Sequence, residues 1–329
     1  MAALVRDDLL QRVLLSPTGD GCDELHVLTG YASAQFALFH ILELREQLGR
    51  DVAVRLNIGM TGEEGLELSA HQGFLGAISA LSGDWLRVSY APHGVSDHTK
   101  LYVWNWSGLP TIAWFGSANY TAHGFGLSGT RRESMIRVEP ESAWSTMESA
   151  TAGFISATDE SLFSRVHVYE ADAPEQRRQV LAPTRLARPP LGTLDSVDLP
   201  LVQTTKRPGE VHNAGAGLNW GQRGSRRRSE AYIPVPAAVA RSGFFPPRGL
   251  PFAAHTDDGA TLFLIVAQDG DKALHSVPDN GAIGRWFRRR LGLADTAFVQ
   301  TEDLERYGST HVTFSALADG SYFMDFEPH

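Results

Sequence analysis

The segment Asp97-His-Thr-Lys-Leu-Tyr-Val103 carries the most information about the fold of this chain. Its polar and apolar residues alternate, and a period of two predicts a β-strand with His98, Lys100 and Tyr102 on one face. An imidazole and an ammonium group would then face the same ligand. This pair suits a phosphate, because the imidazole can attack or exchange protons while the ammonium neutralises negative charge.

A second segment, Thr111-Ile-Ala-Trp-Phe-Gly-Ser-Ala-Asn119, follows a few residues later. Its apolar start predicts another strand, which ends at Gly116, where a ligand can approach the backbone closely. Ser117 and Asn119 present short polar groups just beyond this glycine. An H-x-K pattern alone is a weak signal, because a strand histidine is more often structural or solvent-facing. Together with a G-S-x-N segment, it indicates a phosphate-binding catalytic site.

Strands and helices are predicted to alternate around these two segments. Strands are expected at 24–29, 52–58, 85–90 and 135–138, and helices at 34–48, 65–81 and 144–157. Helices that connect strands cover the faces of the resulting sheet. The N-terminal part of the chain is therefore predicted to be an α/β layered domain with a mixed sheet.

Length and composition predict two domains. A chain of 329 residues with 43% hydrophobic content can form two ordinary cores. Residues 171–200 hold five prolines and little apolar periodicity, which is typical of a linker. We expect a first domain at 1–170, the linker at 171–200 and a second domain at 201–329. Short strands separated by Gly, Pro and Asp predict a mainly β, barrel-like second domain, with one strong helix at 281–291.

Charge is distributed unevenly along the chain. The formal net charge is -9, yet residues 201–329 contain equal numbers of basic and acidic residues. Two groups of arginines lie in this neutral part: Arg223, Arg226, Arg227 and Arg228, and then Arg285, Arg288, Arg289 and Arg290. Such groups bind phosphates even in a neutral domain, although solvated surface is the alternative interpretation.

Cysteine usage and hydropathy exclude several classes of protein. The single cysteine, Cys22, excludes an intramolecular disulfide and a four-cysteine zinc site. No apolar run approaches the roughly 20 residues that cross a bilayer, and the charged first ten residues do not form a signal-peptide pattern. We therefore expect a cytoplasmic protein that has no membrane partner.

The H-x-K and G-S-x-N segments resemble the phospholipase D superfamily, whose members attack a phosphodiester with a histidine and form a covalent phosphohistidine. The resemblance implies that the catalytic residues are His98, Lys100, Ser117, Asn119 and, as the acid that orients the imidazole, Glu133. Asn105 stands where the superfamily signature usually carries an aspartate. The scheme implies no metal ion, and a magnesium-dependent nuclease core at one of the paired carboxylates, Glu63–Glu64 or Asp257–Asp258, is the less favoured option.

More of the chain resembles the NgoFVII-type restriction endonucleases, which are related to BfiI and join a phospholipase D-like nuclease domain to a plant B-three-type DNA-binding domain. The motifs are Gly217-Leu-Asn-Trp-Gly-Gln-Arg223, Ala231-Tyr-Ile-Pro-Val-Pro236, Thr256-Asp-Asp-Gly259, Asp279-Asn-Gly281 and Glu302-Asp-Leu-Glu-Arg-Tyr-Gly308. The resemblance implies two arms that grip the major groove. Candidate DNA-binding residues are Asn219, Gln222, Arg223, Arg226, Arg227 and Arg228 in the first arm, and Lys272, His275, Ser276 and Asn280 in or near the second.

The predicted function is a site-specific, metal-independent, type II-like endonuclease that acts on double-stranded DNA in a restriction-modification system. Because the chain holds one H-x-K motif, the resemblance implies a site shared by two subunits that dimerise through the N-terminal domain. Cleavage would need no cofactor, and ATP would enter only through a separate helicase-like partner. Two alternatives remain: a phospholipase D-type enzyme acting on lipid, and a non-catalytic DNA-binding regulator.

Overall fold

The computed structural model describes residues 4–130, 132–171, 179–189, 194–204, 207–212 and 215–328. The chain divides into two compact units, Met1–Thr184 and Arg185–His329. The division falls inside the predicted linker 171–200, of which residues 172–178 and 190–193 lie outside the described part. The described part of this segment contributes Gln179–Val180 to a sheet of the first unit and Ser196–Pro200 to the sheet of the second.

The first unit contains eleven strands within the described residues. They are β1 (Leu4–Val5), β2 (Glu24–Thr29), β3 (Ala53–Ile58), β4 (Leu66–Glu67), β5 (Leu86–Tyr90), β6 (Leu101–Trp106), β7 (Leu109–Gly116), β8 (Met135–Val138), β9 (Ile155–Ser156), β10 (Val168–Tyr169) and β11 (Gln179–Val180). Eight of them form a mixed sheet in the order β1-β8-β7-β6-β2-β3-β5-β9, in which β2, β3 and β5 are parallel. The other three form a small separate sheet, β11-β10-β4. This arrangement confirms the predicted α/β mixed sheet.

Helices cover both faces of the large sheet. They are α1 (Ala34–Leu48), α2 (Thr61–Glu64), α3 (Leu68–Leu81), α4 (Pro140–Thr151) and α5 (Leu162–Arg165). On one face of β6, Leu101 and Val103 join the core beneath α4. On the other face Trp104 is buried and donates from Nε1 to the Val13 carbonyl oxygen over 2.7 Å. Because β6 is buried on both faces, its sequence is almost continuously apolar.

Several predicted boundaries differ from the structure, among them that of the helix expected at 65–81, which begins at Leu68, and two differ for clear local reasons. The strand expected from residue 97 begins at Leu101, because the Asp97 carboxylate accepts the Thr99 backbone N–H at 2.8 Å and forms a turn before β6. The helix expected at 144–157 runs from Pro140 to Thr151. Its start follows from the Glu139 side chain, which caps two backbone N–H groups, and from proline in the first turn.

The second unit is mainly β, as predicted. Its strands are β12 (Ser196–Pro200), β13 (Ile233–Pro234), β14 (Phe252–Thr256), β15 (Thr261–Ala267), β16 (Ala273–Val277), β17 (His311–Ala316) and β18 (Tyr322–Asp325). They form one sheet in the order β12-β17-β18-β14-β15-β16-β13, and Cα atoms of its two edge strands come within 8 Å of each other. The sheet is therefore nearly closed and barrel-like, around a core that includes Leu199, Phe252, Leu264 and Phe314.

Among the described residues, a 3-10 helix at Gly217–Gln222 and three α-helices accompany this sheet: α6 (Ala237–Ser242), α7 (Ala282–Arg290) and α8 (Thr301–Tyr307). The sequence predicted α7 alone. Helix α8 has seven residues and starts with a capping box between Gln300 and Asp303, a local signal that could have revealed it. In the described residues of both units, no helix is long and apolar enough to cross a membrane.

Candidate functional site

The topology of the first unit brings the predicted catalytic residues to one edge of the large sheet. His98 and Lys100 immediately precede β6, whereas Ser117 and Asn119 follow β7. Because β6 is antiparallel to both β7 and β2, its first residues lie beside the last residues of those two strands. The strand ends therefore place an imidazole, an ammonium and two short polar side chains together.

His98 and Lys100 are directly hydrogen-bonded. The Lys100 Nζ atom lies 2.9 Å from His98 Nδ1 and 2.6 Å from the His98 carbonyl oxygen. An ammonium group only donates hydrogen bonds, so Nδ1 is the acceptor here and a neutral ring carries its proton on Nε2. The Lys100 side chain is buried and the His98 side chain is exposed. Burial lowers the pKa of Lys100, and the carboxylates of Glu133 and Asp97 oppose this shift.

Asn119 is oriented by residues that the sequence interpretation missed. Its Oδ1 atom accepts from Thr29 Oγ1 and from the Tyr31 backbone N–H, each over 3.2 Å. The Nδ2 group has no hydrogen-bond partner among the described side chains and backbone groups, so it can donate to a bound anion. Thr29 ends a parallel strand and Gly30 follows it, which is a recognisable sequence signal for a ligand-facing turn.

Ser117 and Glu133 form the other side of this cluster. The Ser117 hydroxyl donates to Glu133 Oε2 and accepts the Ser134 backbone N–H at 3.0 Å. Glu133, predicted to orient the imidazole, is bonded to Ser117 in this structure, and its action on His98 remains a prediction. Asn105 lies at the far end of β6, buried and paired with Glu24 across the sheet, so it adds no group to the cluster.

The described residues contain no group of three or more His, Cys, Asp or Glu side chains that could hold a metal ion. The paired carboxylates noted in the sequence have other partners. Glu64 Oε1 accepts the Tyr31 hydroxyl at 2.6 Å, and Asp257 forms a buried ion pair with Arg290. Neither pair is arranged as a metal centre.

In the second unit, two residues of the predicted first arm are structural. Asn219 is fully buried, and its Nδ2 donates to the carbonyl oxygens of His212 and Val299 while its Oδ1 accepts the Val299 backbone N–H. Gln222 donates to the Thr296 carbonyl oxygen over 3.1 Å. Reading a base would require Asn219 to give up three buried hydrogen bonds, so the structure gives Asn219 a structural role, and its contact with DNA remains a prediction.

The arginines of this arm are exposed but mostly bonded. Arg223 donates to the Gly215 carbonyl oxygen, Arg226 pairs with Glu230 and lies 3.6 Å above the Trp220 ring, and Arg227 pairs with Glu230 and Asp279. The Arg228 guanidinium has no partner within the described part of the chain. The arm therefore presents one uncommitted guanidinium and three that would exchange partners on binding an anion.

The second predicted arm lies against the first. His275 is buried, with its ring 4.6 Å from that of Trp220 and stacked on Tyr232. Ser276 is also buried, and its hydroxyl donates to the Asp279 carbonyl oxygen over 2.7 Å, so it has a structural position and its contact with DNA remains a prediction. His275 likewise has a structural position. Lys272 is exposed and Asn280 is half-buried, and both remain candidates.

Most arginines of the second group form hydrogen bonds or ion pairs within the second unit. Arg288 is fully buried and donates to the carbonyl oxygens of Ala297, Gly284 and Leu218. Arg290 pairs with Asp257, and Arg285 pairs with Asp279. Arg289 is exposed, and no partner for it lies among the described residues. Only Arg289 is left free to contact phosphate.

Some solved structures resemble part of this chain at low identity. NucT from Helicobacter pylori is 12% identical and covers 46% of this chain and 94% of its own, with a TM-score of 0.31. Nuc from Salmonella typhimurium, a phospholipase D family member, is 14% identical and covers 52% and 99%, with a TM-score of 0.31. Polyphosphate kinase from Porphyromonas gingivalis is 10% identical and covers 56% and 25%, with a TM-score of 0.30. These values are too low to establish a relationship, and no curated protein matches the chain.

Family models give a clear assignment. Residues 7–161 match the NgoFVII restriction endonuclease N-terminal PLD domain, where PLD denotes phospholipase D. Residues 196–318 match the NgoFVII C-terminal B3-like DNA-binding domain. The two matches occur in the order of that family and together span most of the chain. The chain therefore belongs to the NgoFVII restriction endonuclease family, with a PLD nuclease domain followed by a B3-like DNA-binding domain.

Proposed function

We propose that this protein is a site-specific, type II-like endonuclease of a restriction-modification system and cleaves double-stranded DNA through a phosphohistidine. The observation that carries the proposal is the hydrogen-bonded pair of His98 and Lys100, which lies beside Asn119 in a restriction-endonuclease PLD domain. A nucleophile, a cation and an uncommitted amide donor are the groups that attack on a phosphodiester requires.

In the proposed reaction, a DNA phosphate displaces Lys100 from His98 and takes up its hydrogen bond. The imidazole then attacks phosphorus, so a nitrogen–phosphorus bond forms as the bond to the leaving oxygen breaks. That oxygen receives a proton from a second acid. Water then attacks the phosphohistidine and gives a proton to the second acid, which acts as the base in this step, so the phosphate end is released and both groups are restored. Glu133 is proposed to move from Ser117 to the imidazole and hold its reactive tautomer.

The second acid is proposed to come from a second copy of the chain. One H-x-K motif supplies one histidine, so His98 of the partner subunit would protonate the leaving oxygen. Lysine and asparagine side chains from both copies would neutralise the charge of the phosphorane. The dimer would form through the PLD domain, and mixed dimers of wild-type and His98→Ala chains would be inactive.

DNA would be held by the second unit through residues that remain available there: Arg223, Arg226, Arg227, Arg228, Lys272 and Asn280. We propose that cleavage needs no metal ion or other cofactor, because the two subunits supply the required positive charge. ATP would act only through a separate helicase-like partner.

The test is cleavage of phage and plasmid DNA by purified full-length protein in EDTA. His98→Ala should abolish cutting and leave DNA binding in a mobility-shift assay within about twofold, because specific contacts lie in the other domain. His93→Ala is the matched control, since His93 is exposed on the same connection and outside the cluster. Substantial cutting by the His98→Ala protein would contradict the phosphohistidine, and activity lost in EDTA but restored by magnesium would contradict metal independence.

A further inference from the structure

The His98 ring is flanked by two residues of the turn that follows β2. A Cβ atom on Gly30 would lie 2.7 Å from His98 Cδ2 and 3.3 Å from Nε2, so only a glycine allows the ring to sit this close to the backbone. On another side, the Tyr31 ring meets the imidazole edge to face, with centroids 5.7 Å apart and planes at 81°. The imidazole is exposed, but its rotation is confined.

Tyr31 is itself held at both ends. Its hydroxyl donates to Glu64 Oε1 over 2.6 Å, and its backbone N–H donates to Asn119 Oδ1. The hydrogen bond to Glu64 raises the pKa of Tyr31 to about 12, so the phenol keeps its proton and its donor role at neutral pH. Although 38% of Tyr31 is exposed, its ring has a fixed direction.

We propose that Tyr31 is a positioning residue, anchored by Glu64, which holds the imidazole of His98 in the direction of attack. This inference rests on the proposed function. Lys100 is the other group bonded to the His98 ring, and in the proposed reaction it moves to the phosphate. The contacts of Gly30 and Tyr31 do not depend on Lys100, so they keep the ring aligned when that hydrogen bond is lost.

The experiment measures hydrolysis of bis(p-nitrophenyl) phosphate by full-length protein, a probe that bypasses DNA recognition. Tyr31→Ala should lower kcat about 10- to 100-fold and leave KM within about twofold, because misorientation of a nucleophile acts on the chemical step. Tyr31→Phe keeps the ring and should retain kcat within about threefold. Glu64→Ala removes the acceptor of the Tyr31 hydroxyl and should lower kcat by about the same small factor as Tyr31→Phe. Trp106→Ala removes an exposed aromatic ring at the far end of β6 and is the matched control.

Two results would overturn the proposal while His98→Ala remains inactive. A Tyr31→Ala protein with wild-type kcat would show that the ring does not align the nucleophile. A raised KM with unchanged kcat would make Tyr31 a substrate contact. Tyr31→Leu, with the thermal midpoint of each variant, repeats the test if the alanine variant unfolds. Hydrolysis that survives His98→Ala would overturn the proposed function as well.

Discussion

The polar cluster of the PLD domain and the arginines of the B3-like domain use their hydrogen bonds in opposite ways. Around His98, side chains bond to one another, and no acceptor for the Asn119 Nδ2 group lies among the described residues, so this amide group is available to a ligand. In the second domain, the side chains of Arg288 and Asn219 donate hydrogen bonds to buried backbone carbonyl oxygens. The comparison teaches that hydrogen bonds already made, rather than formal charge, determine which polar residues are available to a ligand.

The largest expected effect tests the polar cluster of the PLD domain. Lys100→Ala should lower the rate of the chemical step about 100- to 1,000-fold, equivalent to about 3 to 4 kcal/mol, because the phosphorane charge loses its nearest cation. Single-turnover hydrolysis of bis(p-nitrophenyl) phosphate measures this. Arg87→Ala, which removes an exposed cation of the same domain, should leave the rate unchanged. A Lys100→Ala protein with near wild-type turnover would remove Lys100 from the site.

The next largest effect tests the buried hydrogen bonds of the B3-like domain. Arg288→Ala should destabilise the B3-like domain by about 3 kcal/mol, because three buried carbonyl oxygens lose their donor. Urea unfolding measures the change. Arg289→Ala is its matched control and should change stability by less than about 0.5 kcal/mol, since Arg289 is exposed. If Arg288→Ala left stability unchanged and weakened DNA binding, Arg288 would be a phosphate contact after all.

The same two domains explain how much the sequence could predict. The cluster of His98, Lys100 and Asn119 was predictable because short spacing and strand ends bring these residues together. The burial of Asn219 was not predicted, because it depends on a contact with Val299, 80 residues away, that no local pattern reports. The burial of Arg288 was missed for the same reason. It lies on a helix whose exposed face also carries arginines, and only the packing of Leu218 and Ala297 around it shows that it is buried.

A smaller effect concerns the layer behind the catalytic cluster. His40 is buried between the Tyr120 hydroxyl and the Leu14 carbonyl oxygen, and burial lowers its pKa to about 4. The unfolded chain binds this proton more readily, so the stabilisation is complete above about pH 6.5 and is lost as pH falls towards 4. The loss should be about 2 kcal/mol by pH 5, because one unit of pKa difference is worth about 1.4 kcal/mol. Denaturant unfolding between about pH 7 and 5 measures this loss. His40→Gln should flatten the pH dependence, whereas His93→Gln should not; equal slopes in all three proteins would contradict the assignment.

The smallest expected effect concerns an arginine whose guanidinium has no hydrogen-bond or ion-pair partner among the described residues. Arg228 has no partner to give up within the described part of the chain, so Arg228→Ala should weaken binding to all duplexes by a similar factor. It should also reduce the slope of log affinity against log salt by about 1, which corresponds to one lost phosphate contact. Arg241→Ala, on an exposed helical position outside both arginine groups, is the control. Mobility shifts at several salt concentrations, with randomised duplexes, measure both quantities. An unchanged salt slope would mean that the Arg228 guanidinium does not contact phosphate. If Arg228→Ala instead changed the base preference at one position of the binding site, Arg228 would be a base-reading residue. The bonded Arg223→Ala should give a smaller loss of affinity than Arg228→Ala, because the gain of Arg223 on DNA is offset by the hydrogen bond to Gly215 that it must break.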